Sequence, residues 1–111
     1  MGAPGLDEVL VRLDDARRRL AEASGGAALC RIGPDAGEGR LAVKRAEGAA
    51  AALADLRDAL RRGADPDAAL AAVSSAWAAD ARSHAERGSS PEWVAYAEGG
   101  ASAVRFGTPS P

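Results

Sequence analysis

The segment RRGADPDAAL, residues 61–70, contains the end of one helix and the start of another. Gly63 stands where a glycine commonly ends a helix in the left-handed conformation. Asp65 is a good N-cap, and Pro66 suits the first position of a new helix because its ring fixes a helical φ. These signals predict two consecutive helices that are joined by a short turn.

The same order of signals recurs in GSSPEW, residues 88–93. A glycine again ends a helix, Ser90 caps the next one, and Pro91 begins it. Between the two turns, apolar residues recur at spacings of three and four, which is typical of a helix with one buried face. The sequence therefore predicts a third helix from Pro66 to about Arg87 and a fourth that follows it.

Upstream of these turns, the same spacing predicts two more helices. The first covers Leu6–Ala23, and the second runs from about residue 40 to 62. Ser24–Gly26 is expected to end the first helix. Residues 27–33 are expected to be irregular or a marginal hairpin edge, and residues 33–39 to form a flexible glycine-rich loop.

The sequence therefore predicts an all-α fold, an antiparallel bundle of about four helices with short capped loops and one flexible glycine-rich loop. A chain of 111 residues has the length of one domain. The predicted helical domain covers residues 6–106. Residues 1–5 and 107–111 are expected to be disordered ends.

Charge and composition limit the classes of function. The 14 basic and 16 acidic side chains give a net charge of −2, so we expect no binding to nucleic acid or to a membrane. No apolar run has the roughly 20 residues that a membrane helix needs, and the N-terminus lacks the pattern of a secretory signal. A single cysteine, Cys30, favours a reduced, cytoplasmic location. Many Ala and Arg residues, with one Lys and no Asn or Gln, indicate a GC-rich genome and a bacterial source.

A short pattern occurs twice, as RAEGAAAAL at residues 45–53 and as YAEGGASAV at residues 96–104. A working pair of carboxylates would need both glutamates to face inward with histidine at helical spacing, and the sequence contains no Glu-x-x-His motif. Close packing of two helices explains the repeat better. Gly48 and Gly99 each cost about 1 kcal/mol in a helix, and this cost is tolerated where two helix backbones come close together. Chance similarity in an alanine-rich chain remains the second explanation.

One helix face combines groups that could act chemically. Asp80, His84 and Arg87 continue the apolar stripe of the third helix past Trp77. A carboxylate four residues before a histidine can orient the imidazole, and an arginine can bind an anion. The alternative is a helix end in solvent, where basic side chains complement the helix dipole. These three residues are the candidate catalytic or ligand-binding residues, and we expect no cofactor and no metal.

The segment HAERGSS, residues 84–90, resembles the phosphoacceptor motif of histidine phosphotransfer domains. In that motif a basic residue and a glycine follow the histidine by three and four places, and His84, Arg87 and Gly88 match. Those domains are four-helix bundles of about this size, so the resemblance implies a signalling module that uses His84. The resemblance covers seven residues, and Ser-Ser-Pro follows the glycine where that family continues its helix.

Protein–protein interaction is the function that the sequence favours. The apolar stripes contain many alanines, so a single chain buries modest apolar area and a second copy would supply more. We expect a small non-enzymatic interaction or regulatory protein that forms a homodimer or binds another protein. The alternatives are an enzyme or ligand-binding protein with a polar site at Asp80, His84 and Arg87, and the phosphotransfer module. The candidate interface residues are Leu6, Leu10, Leu13, Leu20, Trp93 and Tyr96.

Overall fold

A computed structural model describes residues 2–30 and 36–106 of the chain. This part of the chain contains four helices and no strand. The prediction of an all-α bundle of about four helices is confirmed. The helices are α1 (Leu6–Cys30), α2 (Ala36–Arg61), α3 (Pro66–Glu86) and α4 (Pro91–Ala103).

The turns after α2 and after α3 both contain a Schellman motif. After α2, Gly63 has a φ of 89°, and the N–H of Ala64 donates to the carbonyl oxygen of Ala59 at 3.1 Å. After α3, Gly88 has a φ of 66°, and the N–H of the next residue donates to the carbonyl oxygen of His84 at 3.0 Å. A left-handed φ favours glycine because glycine has no Cβ. Both predicted glycine stops are therefore confirmed.

The N-caps of α3 and α4 differ. The side chain of Asp65 accepts a hydrogen bond from the N–H of Ala68 at 3.0 Å, and Pro66 follows as the first residue of α3. Ser90 has the corresponding position before α4, but its side chain makes no capping hydrogen bond within the described residues. Of these two helices, α3 alone therefore has the stabilising contact that an N-cap side chain normally provides.

α1 is longer than predicted. Ser24–Gly26 does not end it, and the helix continues to Cys30. The expectation of irregular structure or a hairpin edge is therefore wrong for residues 27–30, while residues 31–35 lie outside the described residues. A glycine costs a helix about 1 kcal/mol, but the alanines and leucine that follow Gly26 are strong helix formers and offset that cost.

α2 begins earlier than predicted, at Ala36. The flexible loop predicted for residues 33–39 is therefore wrong for residues 36–39, and residues 33–35 lie outside the described residues. Glu38 lies in the first turn of α2, where a negative charge is stabilised by the unpaired N–H groups of the helix end. This favourable charge offsets part of the cost of the glycines around it.

The segment before α1 contacts α3. The backbone N–H of Ala3 donates to Oδ1 of Asp67 at 3.0 Å, and Pro4 is buried. These contacts place the start of α1 beside the first turn of α3. The disorder predicted for residues 1–5 stays a prediction, and the tail predicted for residues 107–111 lies outside the described residues.

α2 lies in the centre of the bundle and packs against the other three helices. Val9 of α1 packs with Leu56 of α2. One turn later in α1, Leu13 packs with Leu53, which lies about one turn earlier in α2. α1 and α2 are therefore antiparallel. α3 and α4 are antiparallel as well, since Trp77 packs against Gly100 whereas the later residue His84 packs against Trp93.

The core between these helices is small and aliphatic. Among the described residues it contains no buried polar or charged residue. The predicted stripe of α3 is confirmed, because Leu70, Val73 and Trp77 pack against the buried cluster. Alanines fill much of the remaining core. The largest fully buried side chains are Leu13, Leu56, Val9 and Val104.

Candidate functional site

α2 and α4 cross in close contact at two glycines. A Cβ atom on Gly48 would overlap the carbonyl group of Tyr96 and would lie 3.1 Å from the backbone nitrogen of Gly100. A Cβ atom on Gly99 would lie 2.7 Å from the Cα of Arg45. Both neighbours are backbone atoms, so a larger residue would push the helices apart. The close helix packing predicted at Gly48 and Gly99 is therefore confirmed.

The two glutamates of this repeat do not form an inward-facing pair. Glu47 is partly exposed, and its Oε1 lies 3.4 Å from Nζ of Lys44 on the same helix. Glu98 is exposed on α4. A catalytic or metal-binding pair would need buried carboxylates that converge on one point. The repeat therefore positions helices and does not form a carboxylate site.

The predicted polar residues do come together at the C-terminal end of α3. Nε2 of His84 lies 3.5 Å from Oδ2 of Asp80, and Nδ1 of His84 lies 3.3 Å from Nη2 of Arg87. The side chain of His84 is 15% exposed, whereas that of Asp80 is 53% exposed. The imidazole is therefore mostly covered, while the carboxylate and the guanidinium of this polar site reach solvent.

Ser89 belongs to the polar site and was not predicted. Its Oγ lies 2.9 Å from Nδ1 of His84. The Schellman motif causes this contact, because it returns the second residue after the C-cap Arg87 to the last turn of the helix. The backbone hydrogen bond from Ser89 to His84 is part of that motif. The glycine at position 88 was therefore a sequence signal from which the contact could have been predicted.

The donors and acceptors around His84 indicate one tautomer. Arginine can only donate hydrogen bonds, so Nδ1 must be the acceptor toward Arg87. The ring proton then lies on Nε2, which faces the carboxylate of Asp80. With this tautomer, the hydroxyl of Ser89 and the guanidinium of Arg87 are both donors that share the single lone pair of Nδ1. The site thus presents a serine hydroxyl to the lone pair of an imidazole whose other nitrogen lies 3.5 Å from a carboxylate oxygen.

Aromatic rings connect the polar site to the centre of the bundle. The ring of Trp93 stacks on His84, with centroids 5.8 Å apart and planes 12° apart. Trp93 meets Tyr96 edge-on at 5.9 Å, and Tyr96 lies 5.5 Å from Trp77. Nε1 of Trp77 donates to Oδ2 of Asp55 at 2.9 Å. Trp93 remains 57% exposed, so it presents an aromatic surface to solvent beside the histidine.

The helix does not continue past the polar site. α3 ends at Glu86, and Gly88 has a positive φ. Histidine phosphotransfer domains continue the helix through the corresponding glycine, so the structure shows the departure that Ser-Ser-Pro indicated. The phosphotransfer alternative for His84 stays a prediction.

A groove with a volume of about 1050 Å³ lies between α1, α2 and α4. α2 contributes Ala46 and Ala49 to its lining, and α4 contributes Gly99 and Ala103. These small side chains contribute apolar surface, whereas α1 contributes charged residues to the same lining, among them Arg12, Asp15 and Arg19. Val11 lines the groove from α1 and is 69% exposed.

The four candidate interface leucines of α1 have different environments. Leu13 is 1% exposed and belongs to the core, so it has no surface for a partner. Leu6, Leu10 and Leu20 are half-buried. Leu10 lines the groove next to Val11. The apolar surface that α1 offers to a partner is therefore centred on residues 10 and 11.

A second, smaller groove of about 480 Å³ lies between α2 and α3, and Asp58 is one of its lining residues. Nε of Arg57 donates to Oδ1 of Asp58 at 2.9 Å. This hydrogen bond is the main cause that lowers the pKa of Asp58 below its ordinary value. Desolvation acts in the opposite direction and raises the pKa. The positive charges of Arg57, Arg62 and Arg61 lower it further. The carboxylate of Asp58 is thus held in its charged form.

The described residues contain no group of three or more side chains that could hold a metal ion. None of the helices in this part of the chain is long and apolar enough to span a membrane. Comparisons with protein-family models, with curated proteins and with solved structures find no significant match to the chain.

Proposed function

We propose that this chain is a protein–protein interaction or regulatory protein that self-associates through the exposed side of α1. The observation that carries the proposal is the exposure of Val11, an aliphatic residue that lines the groove between α1, α2 and α4. A single exposed aliphatic residue is ordinary on a protein surface, but Val11 adjoins the half-buried Leu10 and the alanines of the groove. All of these residues line the same groove, and we expect a partner to cover them together.

The composition of the core supports a need for a partner. Its largest fully buried side chains are two leucines and two valines, and alanines make up most of the rest. A buried leucine or valine contributes roughly 1.5–3 kcal/mol, and an alanine much less. Small domains also bury a lower fraction of their surface than large ones. A second copy would add apolar burial, and we place this dimer in the cytoplasm, where the single cysteine stays reduced.

Charged substitutions in the groove test this proposal. Val11→Glu and Leu10→Glu would each place a charge in the interface, where desolvation without a partner is costly. We expect both variants to be monomeric in sedimentation equilibrium at concentrations where the wild type is a dimer. Ala79→Glu, at an exposed position of α3 outside the groove, is the matched control and should stay dimeric. A dimer that neither Val11→Glu nor Leu10→Glu weakens would contradict the proposal.

A second candidate function is covalent chemistry at Ser89, and the 2.9 Å contact of its Oγ with Nδ1 of His84 favours it. A hydroxyl is activated as a nucleophile when an adjacent base accepts its proton. Asp80 would orient the imidazole from the opposite nitrogen, as a carboxylate does in serine hydrolases. The guanidinium of Arg87 would stabilise the negative charge that develops on an acyl or phosphoryl oxygen.

A fluorophosphonate probe tests this second function. Ser89 Oγ would form a bond to phosphorus while the bond from phosphorus to fluorine breaks, and His84 would take the hydroxyl proton. We expect a mass increase of one phosphonyl group in the wild type, no increase in Ser89→Ala, and labelling about 100-fold slower in His84→Gln. Ser75→Ala, at an exposed site on α3, should be labelled like the wild type. No labelling of the wild type would exclude this function.

A further inference from the structure

We infer that two copies of this chain pair through their α1 helices in antiparallel orientation, with Asp14 of one copy opposite Arg18 of the other. The inference rests on the proposed self-association and adds the orientation and register of the interface. It follows from one stripe of α1, from the order of the charges along it, and from the exposure of those charges.

The stripe consists of Val11, Asp14, Arg18 and Ala21. Their spacing of three, four and three residues places them on one side of the helix. All four are exposed in the single chain, and they lie away from the side on which Leu13 enters the core. Val11, Asp14 and Arg18 also line the groove. The stripe is therefore a surface that the chain itself does not cover.

When two copies of the stripe run in opposite directions, each apolar residue faces an apolar residue and each charge faces the opposite charge. A two-fold axis through the middle of the stripe places Val11 opposite Ala21 and Asp14 opposite Arg18, and each contact occurs twice. Parallel pairing would instead place Asp14 against Asp14 and Arg18 against Arg18, and like charges across an interface are strongly unfavourable. The sequence of the stripe thus selects the antiparallel arrangement and a second copy of the same chain.

The charges of the stripe pair with each other within the chain, but their exposure allows them to exchange partners when a second copy binds. Arg18 and Asp14 lie 3.3 Å apart within the chain, but their side chains are 64% and 78% exposed. An exposed pair of this kind contributes little by itself. Beside it, Arg19 and Asp15 repeat the same acid-before-base order at 2.9 Å. In the dimer these pairs would join into one network of alternating charge.

The groove provides room for the second α1 helix. Across it from α1 lie Arg45 of α2 and Glu98 of α4, one charge of each sign. The small residues between them, among them Ala46 and Ala49, allow the backbone of another helix to come close. The Gly48 contact shows that this chain already packs helices through small residues. Leu10 and Val11 of each copy would then be covered by the other copy.

Complementary charge reversals test the inference. Asp14→Arg would place an arginine opposite Arg18 of the second copy, and Arg18→Asp would place an aspartate opposite Asp14. Each variant alone should dimerise at least about tenfold more weakly than the wild type. An equimolar mixture of the two variants should dimerise like the wild type, because every cross-interface pair is then attractive. Native mass spectrometry with one isotope-labelled variant would identify the mixed dimer.

Glu86→Arg is the matched control, because it makes the same change of charge at the exposed end of α3 and should leave dimerisation unchanged. Single reversals that do not weaken the dimer, or a mixture that does not recover, would overturn the register and leave self-association intact. A wild-type chain that is monomeric at every concentration measured would refute both the proposed self-association and the register. A different protein partner would then be the occupant of the groove.

Discussion

Gly48 of α2 faces the carbonyl group of Tyr96 on α4, and the two backbones are so close that no side-chain atom fits between them. This contact fixes the position of α4 relative to the centre of the bundle. Because Tyr96 touches both tryptophans, the same contact sets where Trp93 lies beside His84. The glycine crossing therefore positions both the groove and the polar site.

Gly48→Ala and Gly99→Ala should each destabilise the protein by about 1–3 kcal/mol, because the added methyl group overlaps backbone atoms that cannot rotate away. Helix propensity alone would predict the opposite, a gain of up to about 1 kcal/mol. Urea unfolding followed by circular dichroism measures the change in the free energy of unfolding.

Gly25 provides the control for this experiment. It lies inside α1, is exposed, and has no heavy atom within 4 Å of a Cβ position. Gly25→Ala should therefore stabilise the protein by up to about 1 kcal/mol from helix propensity. If Gly48→Ala stabilised the protein as Gly25→Ala does, the close crossing of α2 and α4 would be wrong.

The two N-caps should respond differently to alanine. Asp65→Ala removes the hydrogen bond to the N–H of Ala68 and should cost about 1 kcal/mol. Ser90→Ala removes a side chain that makes no such bond within the described residues, so its cost should be clearly smaller. Thermal unfolding of the two variants compares them directly, and an equal loss of stability would contradict the difference between the caps.

Leu13→Glu and Leu10→Glu should separate folding from association. Leu13 is in the core, so a charge there would be buried without a partner and should cost several kcal/mol, enough to unfold a small domain. Leu10 is half-buried beside the groove, so its variant should keep its helical circular dichroism spectrum. A folded Leu13→Glu variant would show that the core assignment is wrong.

Asp58 should make the stability depend on pH. Its pKa is lowered from the ordinary value of 3.8, first by the hydrogen bond from Arg57. A carboxyl with a lowered pKa in the folded state contributes stability above its ordinary pKa and loses it as the pH falls through the folded value. Asp58→Asn should thus be less stable than the wild type at neutral pH, and the difference should shrink below pH 3.8. Arg57→Met should move the pKa of Asp58 upward, measured by NMR titration.

The helix boundaries that could be predicted are those with strong local signals. Asp65 and Pro66 specify the start of α3 by their own chemistry, and Gly63 specifies the end of α2, so these boundaries match the structure. The predicted end of α1 at Ser24–Gly26 is wrong, because α1 continues to Cys30. Whether the helix continues depends on the cost of these glycines relative to the favourable helix propensity of the residues that follow. The Ser-Gly-Gly sequence by itself does not give that difference in free energy.

The polar site could be predicted in part. Asp80, His84 and Arg87 share one helix, so their spacing alone brings them together. Ser89 depends on the left-handed turn at Gly88, and Trp93 depends on how α4 packs back along α3. The contact of Ser89 could have been predicted from the glycine that ends the helix. The stacking of Trp93 on His84 could not, because it depends on how α4 packs in the tertiary structure.

The solution mass of the wild-type chain across a dilution series is the most direct test of self-association, the central claim of this account. Light scattering should give twice the 11.2 kDa mass of the single chain at micromolar concentration. The mass should fall toward that of the single chain on dilution, as it does for a reversible dimer. A mass of 11.2 kDa at every concentration, including the high micromolar range, would contradict the account.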